Sequence, residues 1–248
     1  MGEILLKIKV INPNTTWSMT HLIEEATKKY ARSDSEIVAV SPERGPVSIE
    51  GHYDEALAMP GVLEEIRKGM RDGYDGFVIA CFGDPSLYAA REAAEVPVIG
   101  IAEAAMLMAC MLGHKFSILT VLDRVIPKVE ELIKRYGLSE RCASIRATRI
   151  GVLDIEKDIE RAKNALLKEG KKALEEDGAE VLLLGCAGMA DLDKELEEEL
   201  GVPVIDGVVA AVKFLEAIHD YGKKTSKIRA FRRPEKKLLK GYPDLVQP

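Results

Sequence analysis

Short apolar runs alternate with longer amphipathic stretches along most of this chain. Runs at residues 5–11, 35–40, 76–80, 115–121, 143–149 and 180–184, each bounded by turn residues, read as buried strands. Between them lie stretches with helical spacing of apolar positions: 17–31, with Met19, Leu22, Ile23 and Ala26 on one face, then 54–71, 126–136, 155–176, 192–200 and 207–219. Thr15 or Thr16 is placed to cap the first helix, and Pro60-Gly61 predicts a break in the second. If Pro85 and Met189 begin helices, two helix N-termini face the residues just before them. Segment 41–50 is rich in Pro and Gly and too long for a plain connector, which marks a functional loop. Strand and helix alternation at this spacing predicts an α/β fold of mainly parallel sheets joined by right-handed crossovers. Ligands in such folds bind beyond the carboxyl ends of the strands.

The pattern runs twice. Val78-Ile79-Ala80-Cys81-Phe82-Gly83-Asp84-Pro85 is an apolar run ending in a cysteine and small residues, and Leu183-Leu184-Gly185-Cys186-Ala187-Gly188-Met189 repeats the design. A Val-Pro-Val-Ile strand follows each, with its proline 16 residues after Cys81 and 17 after Cys186. The repeat predicts two α/β domains related by a pseudo-twofold axis, residues 1–103 with 206–222 and residues 104–205, followed by a basic tail, 223–248. The last helix is expected to pack back on the first domain. Strands ending at Asn12, Cys81, Thr120 and Cys186 would then point into the cleft between the domains.

Composition narrows the setting. Hydrophobic residues at 47% and charged residues at 31% suit a soluble globular chain. No apolar run approaches the roughly 20 residues that span a bilayer, and no signal peptide opens the sequence, so a cytoplasmic location is expected. A net charge of −6 argues against nucleic acid as a partner. The tail differs: nine Lys or Arg stand against the single acid Glu235 between residues 223 and 240, which suits an anionic partner, a solvated terminus or an edge packed on a neighbouring subunit. A reducing compartment disfavours disulfides. Cys110 and Cys142 read as small core residues, and His21, His52, His114 and His219 lack metal-ligand spacing.

Cys81 and Cys186 have a chemical reading as a pair. Inverting a carbon next to a carbonyl requires a base on one face and an acid on the other, so two opposed groups are needed. Thiols near neutrality allow one thiolate and one thiol at once. Gly83 and Gly188 allow close backbone approach, so that amide N–H groups can hold an oxygen acquiring enolate charge. Such a reaction moves only a proton and asks for no cofactor or metal.

With both cysteine motifs in view the chain resembles the Asp/Glu/hydantoin racemase superfamily, and within it the hydantoin/allantoin racemase branch. The resemblance rests on Ile11-Asn12-Pro13-Asn14-Thr15-Thr16, Gly45-Pro46 with Ser48-Ile49-Glu50, Ala80-Cys81-Phe82-Gly83-Asp84-Pro85, and Gly185-Cys186-Ala187-Gly188-Met189. It implies racemisation at C5 of a 5-substituted hydantoin, allantoin included, with Cys81 and Cys186 as the acid/base pair. It also implies that backbone amides around Phe82, Gly83, Ala187 and Gly188 hold the ring carbonyls, that Asn14 and Thr120 complete the ring-binding set, and that Pro46 and Ile49 shape the pocket. Asn14 is also readable as a turn or cap residue, Thr120 as a strand-end hydroxyl bonded to backbone, and Pro46 and Ile49 as parts of a packed loop. Amino-acid racemases of the superfamily follow their cysteines with Asn-Thr and Thr-His or Thr-Glu. Phe-Gly and Ala-Gly here favour a cyclic, uncharged ureide. Family members are commonly homo-oligomers. The competing readings are an amino-acid racemase, a decarboxylase or cis–trans isomerase on the same scaffold, a non-catalytic ligand-binding protein, and a thiol oxidoreductase, the last requiring the two cysteines within bridging distance.

Overall fold

A computed structural model describes residues 6–242. Its first half runs β1 (Leu6–Ile11), α1 (Trp17–Tyr30), β2 (Ser35–Val40), α2 (His52–Arg71), β3 (Gly76–Ile79), α3 (Leu87–Ala93), β4 (Val98–Gly100) and α4 (Ile101–Leu112). The second half runs β5 (Phe116–Thr120), α5 (Ile126–Arg135), β6 (Cys142–Ala147), α6 (Val152–Ile155), α7 (Ile159–Glu175), β7 (Val181–Leu184), α8 (Asp193–Leu200), β8 (Val204–Asp206) and α9 (Gly207–Asp220). The strands form two four-stranded parallel sheets ordered β2-β1-β3-β4 and β6-β5-β7-β8. Ile8 stands opposite Ile37 and Gly76, and Ile118 opposite Ile145 and Leu183. The chain crosses from one side of β1 to the other between β2 and β3, so the ligand crevice of the first sheet opens between the ends of β1 and β3. In the second sheet it opens between β5 and β7.

The central strands are buried on both faces, which is why they read as continuous apolar runs. Ile8, Val10 and Val78 belong to one hydrophobic cluster that also holds Ile118, Leu119 and Leu183, so the two halves share a core. The other face of the first sheet, with Ile11, Phe77 and Ile79, packs on Val62 and Ile66 of α2. Two helices knit the halves together. α4 follows the first sheet but packs against β5, β7 and β8; α9 follows the second and packs against β1, β3 and β4; and the two helices touch each other. α4 shows no helical period in the sequence because Ile101-Ala102-Glu103-Ala104-Ala105-Met106 and the residues after them are apolar nearly all round, as suits a helix wedged between two sheets.

Several elements differ from the pattern-based expectation. α2 does not break at Pro60. The carbonyl that loses its partner there belongs to Ala56, which is exposed to water, while Ala58, Val62 and Ile66 are buried along one face and hold the helix in place. The long helix expected over 155–176 begins four residues later, at Ile159, after the separate short α6, because the Asp158 carboxylate accepts the Arg161 N–H at 3.0 Å and starts α7 as its N-cap. Thr16 stands at the cap position of α1, but its hydroxyl donates to the Val47 carbonyl at 2.7 Å, and the Asn14 side chain takes the Thr16 N–H instead at 2.8 Å. The basic tail lies on its own chain. Lys227 Nζ donates to the Arg91 and Glu92 carbonyls at the end of α3, at 2.6 and 3.1 Å, Arg233 pairs with Glu95 at 2.6 Å, and Phe231 meets Tyr88. A cation at a helix C-terminus answers the carbonyls left over there. Residues 1–5 and 243–248, which carry the start of the first expected strand and the end of the tail, lie outside the described residues.

Candidate active site

Each sheet places a cysteine two residues beyond a central strand: Cys81 after β3 and Cys186 after β7. Ladder hydrogen bonds continue past the strand ends, from Ala80 N–H to the Ile11 carbonyl and from Gly185 N–H to the Leu119 carbonyl, both at 2.8 Å. They fix the departure direction of both loops. The two cysteines line one pocket, together with Asn14, Ile49, Phe82, Gly83 and Ala187, all named from the sequence. The interior cavity is small, about 40 Å³, room for a few waters. Both cysteines are free thiols, part-exposed through the pocket, with sulfur atoms otherwise ringed by protein.

Burial pushes the Cys186 thiol up to about 12; the Gly188 N–H, donating to Sγ at 3.4 Å, opposes this, and the charge on Cys81 and then Glu50 add to it. Burial also pushes Cys81 up, opposed first by Lys128 and then by the Gly83 N–H, with Glu55 and Asp84 acting the other way. The amides of Gly83 and Gly188 thus serve the sulfurs in this structure. Neither motif opens a helix directly: Asp84 and Ser86 adopt left-handed backbone, φ 45° and 61°, before α3 begins at Leu87, and Met189 closes a single 3-10 turn. The expected helix N-termini are therefore replaced at both thiols by one local amide.

Asp84 has another task. Its carboxylate accepts the Ala102 and Glu103 N–H groups at 3.1 and 2.9 Å and the Tyr136 hydroxyl at 2.6 Å, capping α4 from the Cys81 loop. Gly100 leaves the space that this carboxylate fills. In the second half Asp206 caps α9 itself, accepting the Val208 N–H at 2.8 Å. Burial raises both carboxyls to about 6.

The remaining sequence candidates lie around the pocket. The Asn14 amide is occupied locally: Oδ1 accepts from Thr16 N–H and from Asn12 Nδ2, and Nδ2 donates to Met19 Sδ at 3.3 Å. It builds the turn and lines the cavity at the same time. Pro46 stands outside the lining, where its carbonyl accepts the Thr15 N–H at 2.9 Å and ties segment 41–50 to the loop after β1. The far end of that segment crosses to the second half, where Glu50 Oε1 accepts the Val152 N–H at 2.8 Å. Thr120 is fully buried behind Gly185, away from the lining, and its hydroxyl has no hydrogen-bond partner among the described residues.

Sequence reasoning missed Lys128, the one charged side chain among the described residues that lines the pocket. It is nearly buried, pairs with Glu55 of α2, and its ammonium occupies the space that a side chain at position 83 would need. A signal was present: Lys128 sits on the apolar face of α5, four residues before Leu132. A lysine on such a face, with an acid to meet it, is out of place for a solvated surface.

The fold and pocket define a class of α/β protein built of two similar halves, with a pocket lined from both. The profile of the family described as Asp/Glu/Hydantoin racemase matches residues 8–215. A hydantoin racemase of Pseudomonas sp. (strain NS671) is 59% identical over 236 residues, 95% of each chain. The solved allantoin racemase from Klebsiella pneumoniae superposes with a TM-score of 0.95 at 48% identity, covering 98% of this chain and 99% of that one. Allantoin racemase from Pseudomonas fluorescens gives 0.92 at 39% identity, covering 95% and 100%. The chain belongs to the Asp/Glu/hydantoin racemase family.

Proposed function

We propose that the protein is a hydantoin racemase, which inverts C5 of a 5-substituted hydantoin, allantoin among the candidates, by proton transfer between Cys81 and Cys186. The observation that carries this reading is the placement of two thiols, from equivalent strand ends of two like sheets, on one pocket. One thiolate takes the C5 proton, the enolate charge spreads onto a ring carbonyl, and the other thiol returns a proton to the opposite face. The apolar lining, with Ile49, Ala80 and Val121, suits an uncharged ring better than an amino-acid zwitterion. Phe82, Gly83 and Ala187 line the pocket, which supports a role for the backbone there in holding the ring, whereas Gly188 lies outside the lining with its N–H on Cys186. The relatives named above act on such rings by name, which supports the same substrate class.

A single enantiomer of a 5-substituted hydantoin, and separately of allantoin, incubated with the protein in D2O tests the reading. The expected result is loss of optical rotation with one deuterium entering C5, far above the rate without protein. No acceleration on either ring would sink it.

A cavity this small admits the ring only by moving its walls, and Ile49, on the loop pinned by Pro46 and Glu50, is the wall that limits the C5 substituent. Ile49→Ala is expected to raise kcat/KM for a benzyl substituent relative to methyl by roughly tenfold. Unchanged selectivity in competition kinetics would remove Ile49 from that role. Self-association belongs to the same reading: Leu107, Met111 and Leu112 leave an apolar end of α4 exposed. Light scattering is expected to show an oligomer, and a monomer at micromolar concentration would contradict this.

A further inference from the structure

The two halves are not chemically equal where they approach the thiols. Met19 is the eighth residue after the end of β1 at Ile11, and Lys128 is the eighth after the end of β5 at Thr120. They are pseudo-twofold mates, and both are buried. Each lies over the glycine two residues past a cysteine, and in each case that cysteine belongs to the other half. The Lys128 ammonium lies against Gly83, beside Cys81. The Met19 methyl lies 3.5 Å from the position of a side chain on Gly188, beside Cys186. The same architectural position thus carries a cation over one thiol and a neutral thioether over the other.

We propose that this Lys128/Met19 difference polarises an otherwise symmetric site, so that Cys81 is the first of the two to give up its proton and is the thiolate, with Cys186 the thiol, whenever one of the pair is ionised. This rests on the two-thiol reading above and adds to it a protonation order. Lys128 acts through Cys81 as a positioning charge.

The groups facing each sulfur support the asymmetry. Cys81 meets Lys128 from α5, Glu55 from α2 and Asp84 from its own loop; Cys186 meets Glu50 and Cys81 itself. Glu55 does not cancel Lys128. The ammonium stands between the Glu55 carboxylate and Gly83, so the nearer charge seen from Cys81 is positive. Cys186 has no cation in this set, and once Cys81 is charged a second thiolate is opposed. Once singly ionised the pair holds one proton, and the cation decides which sulfur keeps it. A substrate whose C5–H faces Cys81 meets a ready base, whereas its enantiomer requires the proton to move between sulfurs first.

The test reads each sulfur directly in protein carrying [13Cβ]cysteine, by NMR titration without substrate, with Cys81→Ser and Cys186→Ser used only to assign the signals. In the unaltered protein Cys81 is expected to titrate at lower pH than Cys186. Lys128→Met should raise the Cys81 midpoint by about one pH unit or more, and Lys128→Arg should largely preserve it. Glu55→Gln removes the counter-charge and leaves the ammonium, so it should lower the Cys81 midpoint. A pair whose role is only structural would move it the same way in both variants. Met19→Lys should lower Cys186 instead. An unmoved Cys81 in Lys128→Met, or Cys186 titrating first in the unaltered protein, would overturn the proposal. Neither outcome bears on whether the protein racemises hydantoins, and a failed racemisation assay would leave the titration order standing.

Discussion

Replacing either Cys81 or Cys186 with serine is expected to lower racemisation of both enantiomers by about 10³-fold or more. The size follows from the chemistry of the buried pair. Each turnover needs one sulfur to accept a proton and the other to give one, and a hydroxyl ionises far above the range in which a thiol can share that task. The surviving cysteine still faces one side of the ring, so each variant should exchange the C5 hydrogen of one enantiomer for deuterium with retention, while net inversion stops. Proton NMR of C5–H beside polarimetry separates the two events, and inversion persisting in either variant would exclude the two-base scheme. A pH dependence accompanies it. Burial raises Cys81 above its ordinary value and Cys186 to about 12. The active form, one thiolate with one thiol, therefore becomes more populated as pH rises from 7 to 9 and is lost only past the second ionisation. kcat/KM is expected to climb across that interval without a descending limb, and a maximum near pH 7 would contradict burial as the dominant influence on the thiols.

Much of this arrangement was legible because it is written in periodicity and repetition. The buried strands announce themselves as apolar runs, and the echo of the Cys81 motif at Cys186 places both thiols at strand ends. Asn14, Ile49, Phe82, Gly83 and Ala187 reach the pocket because they lie within a few residues of those ends or on the loop facing them. What stayed hidden was decided by tertiary contact. α4 has no polar face to give it a period. Lys128 and Glu55 are far apart in sequence and meet only when α5 and α2 close on the same loop. Thr120 looked like a site residue because it ends a strand, yet it is fully buried against Gly185 and outside the pocket lining. Pro46 works through its carbonyl, a role that no side-chain motif records.

The exchange of α4 and α9 between the sheets leads to the second large effect. Leu215 of α9 is buried, and its methyl groups fill the space over Gly76 at the start of β3. Leu215→Ala is expected to cost about 3 kcal/mol, the transfer of the side chain plus the cavity it leaves beside a glycine that cannot fill it. The loss should not be confined to the first sheet. The core cluster holding Leu215 runs through α4 into β5 and β7, and Ser18 of α1 donates to Glu156 of the second half at 2.8 Å. Trp17, the sole tryptophan, reports on α1 by fluorescence, whereas far-ultraviolet circular dichroism reports on both halves. In urea the two signals are expected to fall together, in the unaltered protein and in Leu215→Ala, with the midpoint lowered and the slope unchanged. Fluorescence falling first would mean that the halves unfold separately and that the helix exchange does not couple them. Coincident curves would mean that the cleft is held by a single folding unit, so that a cavity at Leu215, far along the chain from either cysteine, removes both thiols from their shared pocket at once.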